Sequence, residues 1–197
     1  LVLSSLSYAL LYEFPRSDTF SLLITWGGLW ASFLYLIWKD RVPFTWIIFL
    51  AVFLRLLATG SLPSLSDDYF RFIWDGRLWL HGINPFEEIP RFYINNPELA
   101  ASLGLTPELF ENLNSPNFFT IYPPVLQGIF AFSAWLFPQN IYGAVVVMKV
   151  FLLLGEFVSL YLLFRLLKAW HIHPSRWAWY ALNPLIFIET IGNIHFE

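Results

Sequence analysis

The side chains best suited to chemistry lie in one run, Ser66 to Phe86 (SDDYFRFIWDGRLWLHGINPF). Two adjacent carboxylates, Asp67 and Asp68, are followed by Arg71 and Asp75. Ser66 is suited to cap a helix, Gly82 to end one and Pro85 to stop it continuing. Residues 67–81 are therefore predicted to form one helix of about four turns. On it Asp68, Arg71 and Asp75 recur at i, i+3 and i+7 and share a face, while Tyr69, Phe72, Ile73, Trp79 and Leu80 supply a wide apolar surface. That pattern fits a helix lying in a membrane interface. The carboxylate pair has three readings. One Asp, its pKa raised by partial desolvation, can act as general base on a hydroxyl. The pair can hold a divalent cation, given a further oxygen ligand. Or it does nothing beyond complementing the dipole of the helix start.

The elements that must position these groups follow from composition. Of 197 residues, 57% are hydrophobic and 13% charged, about half the charge of a soluble domain. A membrane protein is expected. Without cysteine there is no disulfide framework or thiolate metal site. A net charge of −3 gives no electrostatic footprint for nucleic acid. Five apolar runs are expected to span: Leu1–Phe14, Thr19–Trp38, Val42–Gly60, Ile141–Phe164 and the shorter Trp177–Ile191. Between the third and fourth, from Ser61 to Thr120, eight acidic residues outnumber three basic ones. Lys39 and Arg41 flank one turn, and Arg165, Lys168 and Arg176 cluster near another. The positive-inside rule puts those turns in the cytoplasm and the acidic segment outside. Ile121–Phe137 then has to lie along the outer surface, since crossing would carry the second basic cluster outside. The chain is thus divided into N-terminal spanning helices (1–60), an extracytoplasmic loop (61–140) with juxtamembrane helices at about 67–81 and 121–137, and further spanning helices (141–197). It starts without Met and stops after a polar cluster, and is expected to be a piece of a longer protein.

The string Asp67-Asp68-Tyr69-x-Arg71-x-x-Trp74-Asp75-Gly76-Arg77, with Gly82-x-Asn84-Pro85-Phe86 after it, resembles the first external loop of GT-C glycosyltransferases. More narrowly, it resembles that of bacterial polyprenyl-phosphate-mannose-dependent mannosyltransferases. Thr120-Ile-Tyr-Pro-Pro124 is similar to the Tyr-Pro-Pro element opening that loop's second juxtamembrane helix, and Asn183-Pro184-Leu185, Glu189 and Gly192-Asn193-x-His195 resemble a later block of the same group. His195 is offset from the usual Gly-His adjacency, and Glu197 stands where Asp is commoner. The resemblance implies an all-α polytopic fold. It also implies transfer of a sugar, expected to be mannose, from a polyprenyl phosphate to a glycan or lipid-linked acceptor. Transfer would occur with inversion, on the outer face of the inner (plasma) membrane.

Within that likeness Asp68 is expected to be the base, because the family's Asp precedes an aromatic or other bulky residue. Asp67 is the alternative, or a hydrogen-bond partner of the acceptor sugar. Arg71, Asp75, Tyr122 and His195 are candidate substrate contacts. Arg55, near the outward end of its helix, either snorkels to headgroups or clamps the donor phosphate. Arg71 is as well suited to pair with Asp68 or Asp75 as to contact the donor. Lys149 and Glu156, seven apart in one apolar helix, are expected to pair with helices beyond this sequence. His195, Glu197 and Asp67 are too few for a metal site. No cofactor is implied besides the lipid-linked donor, and membrane lipids are the remaining partner. The rival class is a non-enzymatic polytopic membrane protein, a transporter or assembly scaffold. Neither internal repeats nor midplane polar breaks support it.

Overall fold

The computed structural model describes residues 1–39 and 42–196, with Lys39 as backbone alone. Arg41, the Lys39 side chain and Glu197, which entered the charge and site arguments above, lie outside the described residues. The fold is helical, with no strand among the described residues. In order come α1 (Val2–Tyr12), α2 (Thr19–Lys39), α3 (Phe44–Thr59), α4 (Asp68–Leu80), three short helices α5 (Pro90–Ile94), α6 (Pro97–Ser102) and α7 (Pro107–Glu111), α8 (Pro124–Leu136) and α9 (Ile141–Ala169).

Two of these, α2 and α9, are long and apolar enough to cross a membrane. The others expected to span are shorter. At 1.5 Å per residue α1 reaches about 16 Å and α3 about 24 Å, against a hydrocarbon core of about 30 Å. The run expected at Trp177–Ile191 is not one helix. It is broken into a 3₁₀ turn (Pro174–Trp177), α10 (Ala178–Ala181), α11 (Pro184–Phe187) and a π turn (Ile188–Gly192). The cause is local. Pro184 has no N–H to continue the ladder, and Asn183 caps the new start by accepting from the Leu185 N–H at 3.0 Å.

The chain forms two compact units, residues 1–65 with 149–197 and residues 66–148. In the first, α1, α2, α3 and the broken segment close around Leu10, Leu29, Ala51, Leu54, Ala58, Phe187 and Ile191. Its buried charges are hydrogen-bonded inside the unit, as a low-dielectric interior requires. Arg55 donates from Nε and Nη2 to Glu156 Oε2, at 3.0 and 2.8 Å, and from Nη1 to the Ala51 and Ala181 carbonyls. The Tyr180 hydroxyl donates to the other Glu156 oxygen at 2.8 Å. Lys149 is wholly buried and meets no carboxylate among the described residues. Its ammonium donates to the Ala58 carbonyl, at the end of α3, and to the carbonyl and hydroxyl of Ser61. Glu156 thus finds its partner within this sequence rather than beyond it, and Lys149 serves as a helix C-cap.

The second unit is built on α4 against α8. Gly76 makes the contact possible, since a Cβ there would stand 2.4 Å from the Phe130 carbonyl oxygen. Phe72 stacks on Phe130 at 4.5 Å. On another side α4 meets α7, with Leu103, Leu105, Leu109 and Leu113 buried nearby in sequence. Thr106 caps α7 as its type predicts, accepting from the Leu109 N–H. Gly82 ends α4 at φ 72° in a Schellman turn, with Gly82 N–H on the Trp79 carbonyl and Ile83 N–H on that of Leu78. One expectation changes. α4 does not lay a charged face on water; residues 69 and 71–78 are buried, Arg71, Asp75 and Arg77 among them. α8 and the 115–120 segment cover Arg71 and Asp75, while Arg77 donates from Nη1 to the Gly104 carbonyl.

Candidate active site

Helix α4 starts at Asp68, with Asp67 as the N-cap residue. Ser66, expected as the cap, lies one place earlier. Its hydroxyl accepts from the Asp68 N–H at 3.3 Å and donates to Asp68 Oδ2 at 3.1 Å. The side chain of Asp68 is thereby held from its own helix end. A second grip comes from 46 residues away, where Asn114 Nδ2 donates to Asp68 Oδ1 at 2.6 Å.

Asp68 and Arg71, one turn apart, open onto a cavity of about 460 Å³ whose other walls are Asn114, Ser115, Phe118, Phe119, Thr120, Ile121 and Tyr122. That volume lies within the range of small-molecule pockets. Asp68 is the one carboxylate among these residues. Arg71 is 3% exposed and ties the floor together: Nε donates to Asp75 Oδ1 at 2.8 Å, and Nη1 to the carbonyls of Ser115 and Phe118 at 3.1 and 2.9 Å. Nη2 has no acceptor among the described residues. Tyr122 sets its ring edge-on to Phe72 at 4.8 Å and to Phe130 at 5.8 Å, so the α4–α8 stack fixes the far wall.

Asp75 is fully buried behind this cavity. Besides Arg71 it receives Gln127 Nε2 at 3.1 Å, and that amide also reaches Thr120 Oγ1 and the Tyr122 carbonyl. Burial pushes the Asp75 carboxyl above the usual carboxylate range; the Arg71 charge and the hydrogen bonds from Thr120, Arg71 and Gln127 pull the other way without cancelling it. Asp75 thus supports the cavity floor rather than lining the cavity. Asp67 is half-buried and not among the lining residues. Its charge lies near the Tyr69 phenol, whose pKa is pushed up to about 12, by burial first and by Asp67 second.

The remaining candidates belong to the first unit. Arg55, expected either at the headgroups or on a donor phosphate, is 0% exposed with its fork turned to Glu156 and two carbonyls. His195 stands 3.3 Å from Glu189, whose Oε2 also accepts from Asn193 Nδ2; Asn193 Oδ1 in turn accepts from the Leu65 N–H. Among the described residues no group of three His, Asp or Glu side chains could hold a metal ion.

Sequence reasoning missed Asn114, Ser115 and Gln127, and met Thr120 only as part of the Tyr-Pro-Pro element. An isolated Asn or Gln carries no periodic signal, and only the folded path of 112–127 brings these residues onto α4. The cavity rim has a further property. Phe118, Phe119 and Ile121 are 69%, 56% and 80% exposed, and no charged residue occurs between Glu111 and Lys149.

No curated protein and no solved structure matches the chain. A family model does: that of the MptA/B family, described as the alpha-(1->6)-mannopyranosyltransferase N-terminal domain, matches residues 5–197. With a match running almost end to end, the chain belongs to that mannosyltransferase family.

Proposed function

We propose that this chain is part of a polytopic GT-C-type mannosyltransferase that takes mannose from a polyprenyl phosphate and transfers it, with inversion, to an extracytoplasmic acceptor. Asp68 is the general base. The acceptor O–H gives its proton to the Asp68 carboxylate as its oxygen attacks the anomeric carbon. The bond from that carbon to the phosphate oxygen breaks, and polyprenyl phosphate leaves with the electron pair. Arg71 Nη2 is the donor available to the leaving phosphate. Tyr122 supplies an aromatic wall for a sugar ring, and Asp75 holds Arg71 in place.

The observation that carries this reading is the position of Asp68 as the single carboxylate on a cavity that also holds Arg71, in a chain of a mannosyltransferase family. The exposed aromatic rim and the outward residues of α8, Val125, Phe132, Trp135 and Leu136, support a site at the membrane interface, where a lipid-linked donor resides. α2 and α9 support residence in the membrane itself.

The test is transfer from radiolabelled polyprenyl-phosphate mannose in membranes holding the full-length protein, wild type beside Asp68→Asn. Loss of a general base lowers turnover about 10²–10⁴-fold. An Asn variant that inserts normally and keeps near-wild-type turnover would remove Asp68 from the mechanism. Equal transfer by wild type and by membranes lacking the protein would favour the non-enzymatic class.

A further inference from the structure

A general base works only if its lone pair meets the acceptor proton at the right angle, and a carboxylate on the first residue of a helix has two torsions to lose. Asp68 is half-buried, so packing alone does not fix it. Its orientation comes from two hydrogen bonds of different origin. Ser66 is local and moves with the helix start. Asn114 is not. It sits beyond α7 on an irregular segment, and its amide grips Oδ1 at 2.6 Å from inside the same cavity. The segment is itself fastened to α4, because the carbonyls of the neighbouring Ser115 and of Phe118 receive Arg71 Nη1. Asn114 therefore approaches from a support anchored one turn further along the same helix. An ionised carboxylate accepts about four hydrogen bonds, so the two already made leave lone pairs for an acceptor hydroxyl.

We propose that Asn114 is a positioning residue for the Asp68 carboxylate, orienting it toward the acceptor hydroxyl; this rests on Asp68 being the base. The Asn114 side chain is exposed, so its removal disturbs little packing. Its contribution falls on the step in which the proton moves, and therefore on kcat.

The experiment measures kcat and the KM for polyprenyl-phosphate mannose in membranes with Asn114→Ala, Asn114→Asp, Asn114→Gln and Asp68→Asn. A charge-assisted hydrogen bond made in the reacting state corresponds to a loss of about 10–100-fold in kcat for Asn114→Ala, with KM within about 2-fold. Asn114→Asp keeps the shape but turns a donor into a second carboxylate, and falls at least as far. It reads the same property should the Ala variant fold poorly. Asn114→Gln retains the amide and recovers part of the loss. Wild-type kcat in the Ala and Asp variants, or a loss confined to KM, overturns the proposal while a dead Asp68→Asn leaves the base assignment standing. Near-normal turnover by Asp68→Asn overturns both.

Discussion

Gly76→Ala tests the contact on which the second unit is built. The added Cβ would stand 2.4 Å from the Phe130 carbonyl oxygen and 2.6 Å from its carbonyl carbon. Relief requires α4 and α8 to separate by about 1 Å, because non-bonded carbon atoms find their minimum near 3.5–4.0 Å. The obstacle is backbone, so no rotamer change avoids it. That displacement stretches the 3.1 Å bond from Gln127 to Asp75 beyond hydrogen-bonding range and opens the Phe72–Phe130 stack. Two effects oppose each other. Ala gains about 1 kcal/mol in helix propensity over Gly. Overpacking costs about 1–3 kcal/mol, and the lost bond to a buried carboxylate about 1.5–3 more. The net is a destabilisation of about 1.5–5 kcal/mol, or some 3–20 °C in Tm for a chain of this size. Gly128→Ala on α8 is the control, since nothing lies within 4 Å of a Cβ there; it should be neutral or gain up to about 1 kcal/mol. Both are measured by thermal unfolding in detergent, followed by near-ultraviolet circular dichroism. Equal Tm values for Gly76→Ala and wild type would refute the close-contact argument. An equal loss in Gly128→Ala would show that the effect is not one of space.

Glu156→Leu leaves the Arg55 guanidinium buried without its carboxylate, at a cost of about 3–5 kcal/mol, while the double variant Arg55→Met with Glu156→Leu recovers most of it. Folded yield and Tm in detergent check this, and a single variant as stable as wild type would contradict the pairing. Asp75 gives a pH dependence. Its native pKa is raised above the unfolded value of 3.8, so its contribution is present at low pH and is lost as pH rises through the native pKa. The Tm advantage of wild type over Asp75→Asn should therefore shrink from acid toward neutral pH. An advantage that grows with pH would mean that Arg71 outweighs burial.

Local features of the fold were legible in the sequence because their causes are local. Gly82 announced the end of α4 and Pro123-Pro124 the start of α8. Arg71 and Asp75, at i and i+4, were among the pairings their spacing allowed. Long-range polar partners were not legible. Arg55 meets Glu156 across 101 residues, Lys149 meets Ser61 across 88, and Asp68 meets Asn114 across 46. Each depends on where the backbone travels between the partners, which residue type and periodicity do not encode. Burial on α4 was misjudged for a related reason. A face bearing Asp and Arg looks solvent-facing until it is known that a carbonyl-lined segment and Gln127 will cover it.

The ammonium of Lys149 has a topological consequence. The chain leaves the first unit at Leu65 and returns at Lys149, whose Nζ is held 2.6 Å from the carbonyl oxygen of Ser61. The second unit is thus an insertion bracketed by one clasp within the first, a side chain closing on a backbone carbonyl. For a ring already closed, closure entropy changes slowly with length, by about 0.6 kcal/mol for each doubling. The inserted segment is therefore free to lengthen or shorten at little cost to the helices that carry it. Variation in the cavity-bearing part and constancy in the helical part are compatible in one chain, because the clasp isolates the stability of one from the length of the other.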